Sequence, residues 1–168
     1  MQEHKDLDVL AESPSKPAPE LSALAYFIGT WNIEGIIPPG PWGAGGPYSS
    51  TDAVDWLAGN FFLIGRSDYS LPPSLGGFGK ETYIMGYDAS EQAYTFDGFN
   101  SQGRHQVSRG QLSNGTWLWT SHADYNGQDV QQKMTMKVQA PESYDLKFEL
   151  STDGDNWSTF LEGKARKR

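Results

Sequence analysis

The stretches VQQKMTMKV (Val130–Val138) and YDLKFEL (Tyr144–Leu150) decide the fold class. In the first, Val130, Met134, Met136 and Val138 share one face, and Gln131, Lys133, Thr135 and Lys137 share the other. In the second, Tyr144, Leu146, Phe148 and Leu150 alternate with Asp145, Lys147 and Glu149. A period of two with one apolar face marks a half-buried antiparallel strand. The short APE segment (140–142) between them leaves room only for a hairpin.

Working outward, strand signals bounded by turn residues recur along the chain. They fall at about 30–37, 48–58, 61–70, 80–88, 93–100, 103–111, 116–123, 130–139, 143–151 and 157–166. No helix long enough for a crossover lies between any two, which argues against a parallel sheet. A meander of ten short-looped strands has two edges, and closing on itself removes them. The expected fold is therefore all-β: an antiparallel up-and-down β-barrel of about ten strands. A short helical turn over ELSALAYF (Glu20–Phe27) precedes it, ended by Gly29. Residues 1–19 are charged and then Pro-rich, and read as a flexible N-terminal arm. Residues 20–168 make the barrel domain.

Composition agrees. Of 168 residues, 13% are aromatic and only 37% hydrophobic, with 19 glycines and 10 prolines, which suits strands and turns better than a helical bundle. A net charge of -8 argues against nucleic acid or an anionic membrane surface as partner. The absence of cysteine excludes a disulfide scaffold, a thiolate metal site and a cysteine nucleophile. No apolar run is long enough for a membrane span, and no signal segment is visible, which points to the cytoplasm.

Successive connections alternate between the two barrel ends. PPGPWGAGGP (38–47), LPPSLGGFG (71–79), DYNGQD (124–129) and TDGDN (152–156) fall at one end, and the shorter AGN, DASE, SNG and APE at the other. That is a cup with an open mouth and a closed floor. Ten strands make it wider than the eight whose side chains just fill the interior, so a cavity is expected.

The segment FIGTW (Phe27–Trp31) resembles the Gly-x-Trp signature that opens lipocalin and other calycin barrels. WLAGNFFL (56–63), GYD (86–88), FDGF (96–99) and EGKARK (162–167), in that order, are similar to a bacterial family of lipocalin-like domains of unknown function. The likeness covers about residues 20–168. It implies the fold, places Trp31 inside the barrel floor, and carries no established chemistry. It also implies a cationic side chain from the last strand lying across Trp31, with Arg166 the first candidate and Lys164 the second. The alternative is that Lys164–Arg168 is a solvated basic tail.

Candidate cavity residues follow from alternation and loop chemistry. Met134, Met136, Leu146 and Phe148 point inward. His122 and His105 are the histidines outside the arm, and no metal-ligand spacing accompanies them, so no metal and no cofactor is expected. Haem-binding motifs are not evident. Strand 103–111 has no apolar face, so either Arg104, Gln106 and Ser108 or His105, Val107 and Arg109 look inward, giving a polar wall that is cationic if an arginine faces in. Arg66 and Asp97 raise the same question: a buried charge is paired or meets a ligand. Trp42 and Phe78, among glycines in the mouth loops, form a lid, a tacked-down loop or a homodimer contact. The Asp-rich turns 124–129 and 153–156 do not match a calcium loop and read as hairpin turns. Three functions are compatible with these residues. One is binding of a small, largely apolar molecule inside the barrel. The second is an enzyme of isomerase, cyclase or hydratase type, with His122, Asp97 or a tyrosine as acid or base. The third is a surface interaction module with a filled barrel.

Overall fold

A computed structural model describes residues 16–168. Most of the expected N-terminal arm lies outside the described residues. Ten antiparallel strands follow one another: β1 (Gly29–Ile37), β2 (Gly46–Trp56), β3 (Leu63–Ser70), β4 (Phe78–Asp88), β5 (Ala93–Asn100), β6 (His105–Ser113), β7 (Thr116–Tyr125), β8 (Gln128–Ala140), β9 (Ser143–Ser151) and β10 (Ser158–Lys167). Each pairs with its sequence neighbours, and β10 returns to pair with β1, so the sheet closes into a barrel. The seam runs from Trp31 opposite Lys167 to Ile36 opposite Glu162. There the register places Gly35 against Gly163, and a Cβ on Gly35 would lie 3.0 Å from the Gly163 Cα. The two strands approach more closely than side chains would allow.

The floor is sealed by packing. A 3₁₀ segment, Pro19–Phe27, crosses it and buries Leu21, Leu24 and Phe27. Tyr26 hangs the segment on the β8–β9 turn, its hydroxyl donating to the Ser143 carbonyl at 2.9 Å. The Tyr94 hydroxyl holds the other end through the Glu20 carbonyl at 3.1 Å. Above the segment lie Trp31, Trp117, Tyr144, Met136 and Leu146, all buried. Trp31 is 1% exposed, and its Nε1–H donates to the Phe27 carbonyl at 2.8 Å. It thus occupies the place that the Gly-x-Trp resemblance implies.

The cation over Trp31 is neither of the expected ones. Lys167 Nζ sits 4.9 Å from the ring centroid and donates to the Tyr26 carbonyl at 3.2 Å. Arg166 pairs opposite Asn32, so it faces the other side of the sheet. Lys164 is turned out to Asp145 on the outer surface. The reason is pleat parity: a residue directly across from an inward tryptophan shares its face, and the residue on either side does not.

Loop parity also holds, with one change. The Asp124–Asp129 connection zips up to a two-residue turn at Asn126 and Gly127, both at positive φ (57° and 84°), the conformation a tight hairpin demands. The Asp153 carboxylate accepts from the Asp155 and Asn156 amides and from Asn156 Nδ2. Those bonds hold its pKa well below the usual range and make it a turn residue, as expected.

Candidate functional site

Burial along each strand settles which face looks inward. On β7, Trp117, Trp119 and Ser121 are buried, so Leu118, Thr120 and His122 face solvent. His122 Nδ1 instead meets Asp129 at 3.1 Å on the outer wall. On β3, Leu63, Gly65 and Ser67 are buried and Arg66 is exposed. Asp97 and His105 pair across β5 and β6 at 3.0 Å, outside the barrel, with the His105 ring stacked on Phe99. Arg66 and Asp97 are therefore not lumen residues, whereas His122, outward on its strand, borders the mouth cavity described below. Phe78 is 88% exposed and covers nothing.

On β6 the inward side is Gln106, Ser108 and Gly110. The polar wall is real, but it is neutral: Arg104 stays exposed at the rim, its guanidinium 4.4 Å above the Tyr125 ring. Gln106 Nε2 donates to Ser108 Oγ at 3.1 Å, Ser121 Oγ donates to Gln132 Oε1 at 2.9 Å, and Gln132 Nε2 donates to the Tyr125 hydroxyl at 3.2 Å. These side chains satisfy one another, while the buried Trp119 Nε1 on the same wall has no hydrogen-bond partner.

The opposite wall carries the charge that the sequence reading missed. Asp52 of β2 and Glu81 of β4 both lie on inward-facing positions. Burial raises the Asp52 pKa, and hydrogen bonding from Ser67, Ser50 and Tyr83 offsets only part of that. The Tyr83 hydroxyl donates to Asp52 Oδ2 at 3.3 Å. Glu81 is pushed up to about 7, first by burial and then by repulsion from Asp52. Neither carboxylate forms an ion pair among the described residues. The lumen is acidic where a cationic wall was an open expectation.

Glycines shape the space between these walls. Tyr83 lies across Gly65 on the adjacent strand, Tyr69 across Gly79, and Trp119 across Gly110. At Gly98 a Cβ would stand 2.7 Å from both Glu81 Oε1 and Phe96 Cε1. In each case the absent side chain lets a neighbour lie flat along the wall instead of projecting into the lumen. Tyr83 and Phe96 stack at 5.0 Å and 23°.

A cavity of about 310 Å³ remains at the mouth, lined by Glu81, Asn100, Gln106, Ala123, Tyr125 and Gln132 and by Arg104, His105, His122 and Asp124. The other side of the mouth is plugged. The Trp42 indole N–H donates to the Pro38 carbonyl at 2.8 Å, and its ring meets Phe160, which in turn meets Phe148, both edge to face. Trp42 is thus a docked plug. Met134, Met136, Leu146 and Phe148 face inward as expected, but Met136 and Leu146 belong to the packed core below the cavity. A larger concavity of about 480 Å³ lies along Ser49, Thr51, Asp68, Phe78 and Lys80, which face outward, and along Ser50, Tyr69 and Gly79, which face inward. Its lining therefore comes from both faces of β2–β4.

No family model matches the chain, and no curated protein matches it. Among solved structures, Rv2717c from M. tuberculosis superposes with a TM-score of 0.63 at 12% identity, covering 91% of this chain and 99% of that one. The likeness is one of fold. A de novo designed fluorescence-activating β-barrel aligns at a TM-score of 0.48 and 16% identity over 87% of this chain and 97% of that one. Among the described residues, no helix is long and apolar enough to cross a membrane.

Proposed function

We propose that the protein binds a small organic molecule with several polar groups in the cavity at the mouth of the barrel. The observation that supports this is the 310 Å³ cavity above a solidly packed floor. Its volume falls at the lower end of small-molecule sites. A barrel whose only task was to present its surface would gain stability by filling that space with its own side chains. Here glycines at positions 65, 79, 98 and 110 hold the large rings back against the wall. The resemblance to lipocalin-like barrels agrees with the same reading.

An environment-sensitive dye bearing polar groups should bind at micromolar levels, a free energy of about -8 kcal/mol. Ala123→Trp, on the inward face and in the cavity lining, should abolish that binding. Leu118→Trp, outward on the same strand, should leave it intact. Equal effects of the two substitutions would place the dye on the surface and overturn the mouth site.

A further inference from the structure

One stretch of the barrel wall is open. β6 and β7 pair from Ser113 opposite Thr116 up to Ser108 opposite Ser121, and there their ladder ends. Both strands continue toward the mouth. β6 runs on to His105, paired with Phe99 of β5, and β7 runs on to Tyr125, paired with Gln128 of β8. The same register carried forward would set Val107 opposite His122, Gln106 opposite Ala123 and His105 opposite Asp124, and those rungs are not made. Residues 104–106 and 122–125 all line the 310 Å³ cavity. The split explains why that cavity collects the outward His105, His122 and Asp124 together with the inward Gln106, Ala123 and Tyr125. Successive residues of a strand point to opposite faces, so a pocket on one face of an intact sheet meets alternate residues, whereas a slot through the sheet meets all of them.

Side chains still cross the split at both ends. At its foot Gln106 Nε2 reaches Ser121 Oγ at 3.4 Å, and at its top the Arg104 guanidinium lies 4.4 Å over the Tyr125 ring. The opening is therefore a bounded slot. Along its edges, backbone N–H and C=O groups lack the partners that a continued ladder would give. Successive residues turn these groups to alternate sides, so about half of the residues at 105–107 and 122–124 aim a donor and an acceptor into the slot. No strand is free to fill it, because each of the ten already has two neighbours. Open edges of this kind take a partner from outside the sheet.

The lining sets the chemistry of that partner. Charges of both signs border the slot, Arg104 against Asp124 and Glu81, and the two histidines are held by Asp97 and Asp129. This balance selects neither a cation nor an anion. The side-chain amides of Asn100 and Gln106 add to the donors and acceptors. A strand edge holds an extended peptide by pairing N–H with C=O and C=O with N–H. A ring amide carries the same pair fixed in one plane, and its flat body suits a slot between two strands. We infer that the β6–β7 slot takes a neutral, planar heterocycle with a ring amide, nucleobase-like along that edge, which restores missing rungs by donating to and accepting from the strand backbones. This names the class of ligand for the mouth cavity and rests on that reading.

Amide shift mapping by NMR on the full isotope-labelled chain tests it with three probes: uracil, N,N′-dimethyluracil and dihydrouracil. Uracil should shift the backbone amides at 105–107 and 122–125. It should bind at least about tenfold more tightly than the dimethyl derivative, which keeps the plane and the carbonyls but has no N–H. Dihydrouracil, with the same edge on a puckered ring, should fall between them. Equal binding of uracil and its dimethyl derivative, or shifts confined to other strands, would overturn the ladder-completing ligand. Cross-strand NOEs between the backbones at 105–107 and 122–124 in the free protein would show a closed ladder and overturn the slot itself. Failure of uracil at millimolar concentration, with the environment-sensitive dye still bound and lost in Ala123→Trp, would overturn the ring amide and leave the mouth site standing. Failure of the dye and of all three probes would overturn the mouth site and the slot together.

Discussion

Gly65→Ala is the sharpest perturbation of the lumen. Gly65 is a strand residue without positive φ, so alanine meets no backbone strain there, and its strand propensity alone favours the change by roughly 0.5–1 kcal/mol. The obstacle is Tyr83. A methyl at position 65 would overlap the Tyr83 ring and stand 2.6 Å from its hydroxyl. The ring must swing off the wall. That breaks the Tyr83–Phe96 stack, worth about 0.5–1.5 kcal/mol. It also breaks the bond to Asp52, which at 3.3 Å contributes about 1 kcal/mol. Residual overpacking adds about 1–3 kcal/mol. The net expectation is a loss of about 2–4 kcal/mol, read as a lower urea midpoint at unchanged slope. The control is the same substitution in a Tyr83→Ala background, where the ring is gone and alanine at 65 should be neutral or mildly stabilising. A coupling of at least about 2 kcal/mol between the two sites is therefore expected. Equal destabilisation by Gly65→Ala in both backgrounds would refute the account of glycines as seats for neighbouring rings.

Two further expectations concern charge and the floor. The Glu81 pKa in the fold, about 7, lies above its ordinary value of 4.5, so the folded state holds that proton more tightly than the unfolded chain. Its contribution is full below the ordinary value and declines as pH rises to about 7, by up to about 3 kcal/mol. Denaturant titrations across that window should show the decline flattened in Glu81→Gln, and parallel slopes in the two proteins would contradict the burial of this carboxyl. At the floor, Trp31→Ala should cost about 3–5 kcal/mol, and Lys167→Ala about 0.5–2 kcal/mol through the ring contact. Arg166→Ala should stay within about 0.5 kcal/mol; thermal melts in which positions 166 and 167 exchanged rank would restore the rejected assignment.

The strands were legible wherever alternation was clean. Val130–Val138 and Tyr144–Leu150 carry their facing in the residue types, and β5 and β9 begin and end where the pattern says. The strands that build the site carry no such signal. Ser49, Ser50, Thr51 and Asp52 in succession look like a surface strand, and Lys80-Glu81-Thr82 like another, because the lumen is as polar as the outside there. Alternation reads contrast between faces, and a polar lumen removes the contrast. Glycine has no periodic signature either: Gly65, Gly79, Gly98 and Gly110 were visible as residues but not as seats, since each matters only through the side chain that the register sets opposite or beside it. The same dependence on register explains Lys167. Its neighbours Arg166 and Lys164 are equally basic, and only pairing with β1 distinguishes them.

The seam between β1 and β10 has a kinetic meaning. Nine of the ten strand pairings join neighbours in the chain and can form as local hairpins; the tenth joins the first strand to the last. Closing it fixes a very long loop, the slow and entropically costly kind of contact. Until it closes, β1 and β10 present bare backbone edges to other chains. The small-residue contact of Gly35 with Gly163 and the Lys167–Trp31 pairing both lie on this seam, so substitutions there should act on the rate of ring closure and on aggregation during folding more than their equilibrium cost suggests.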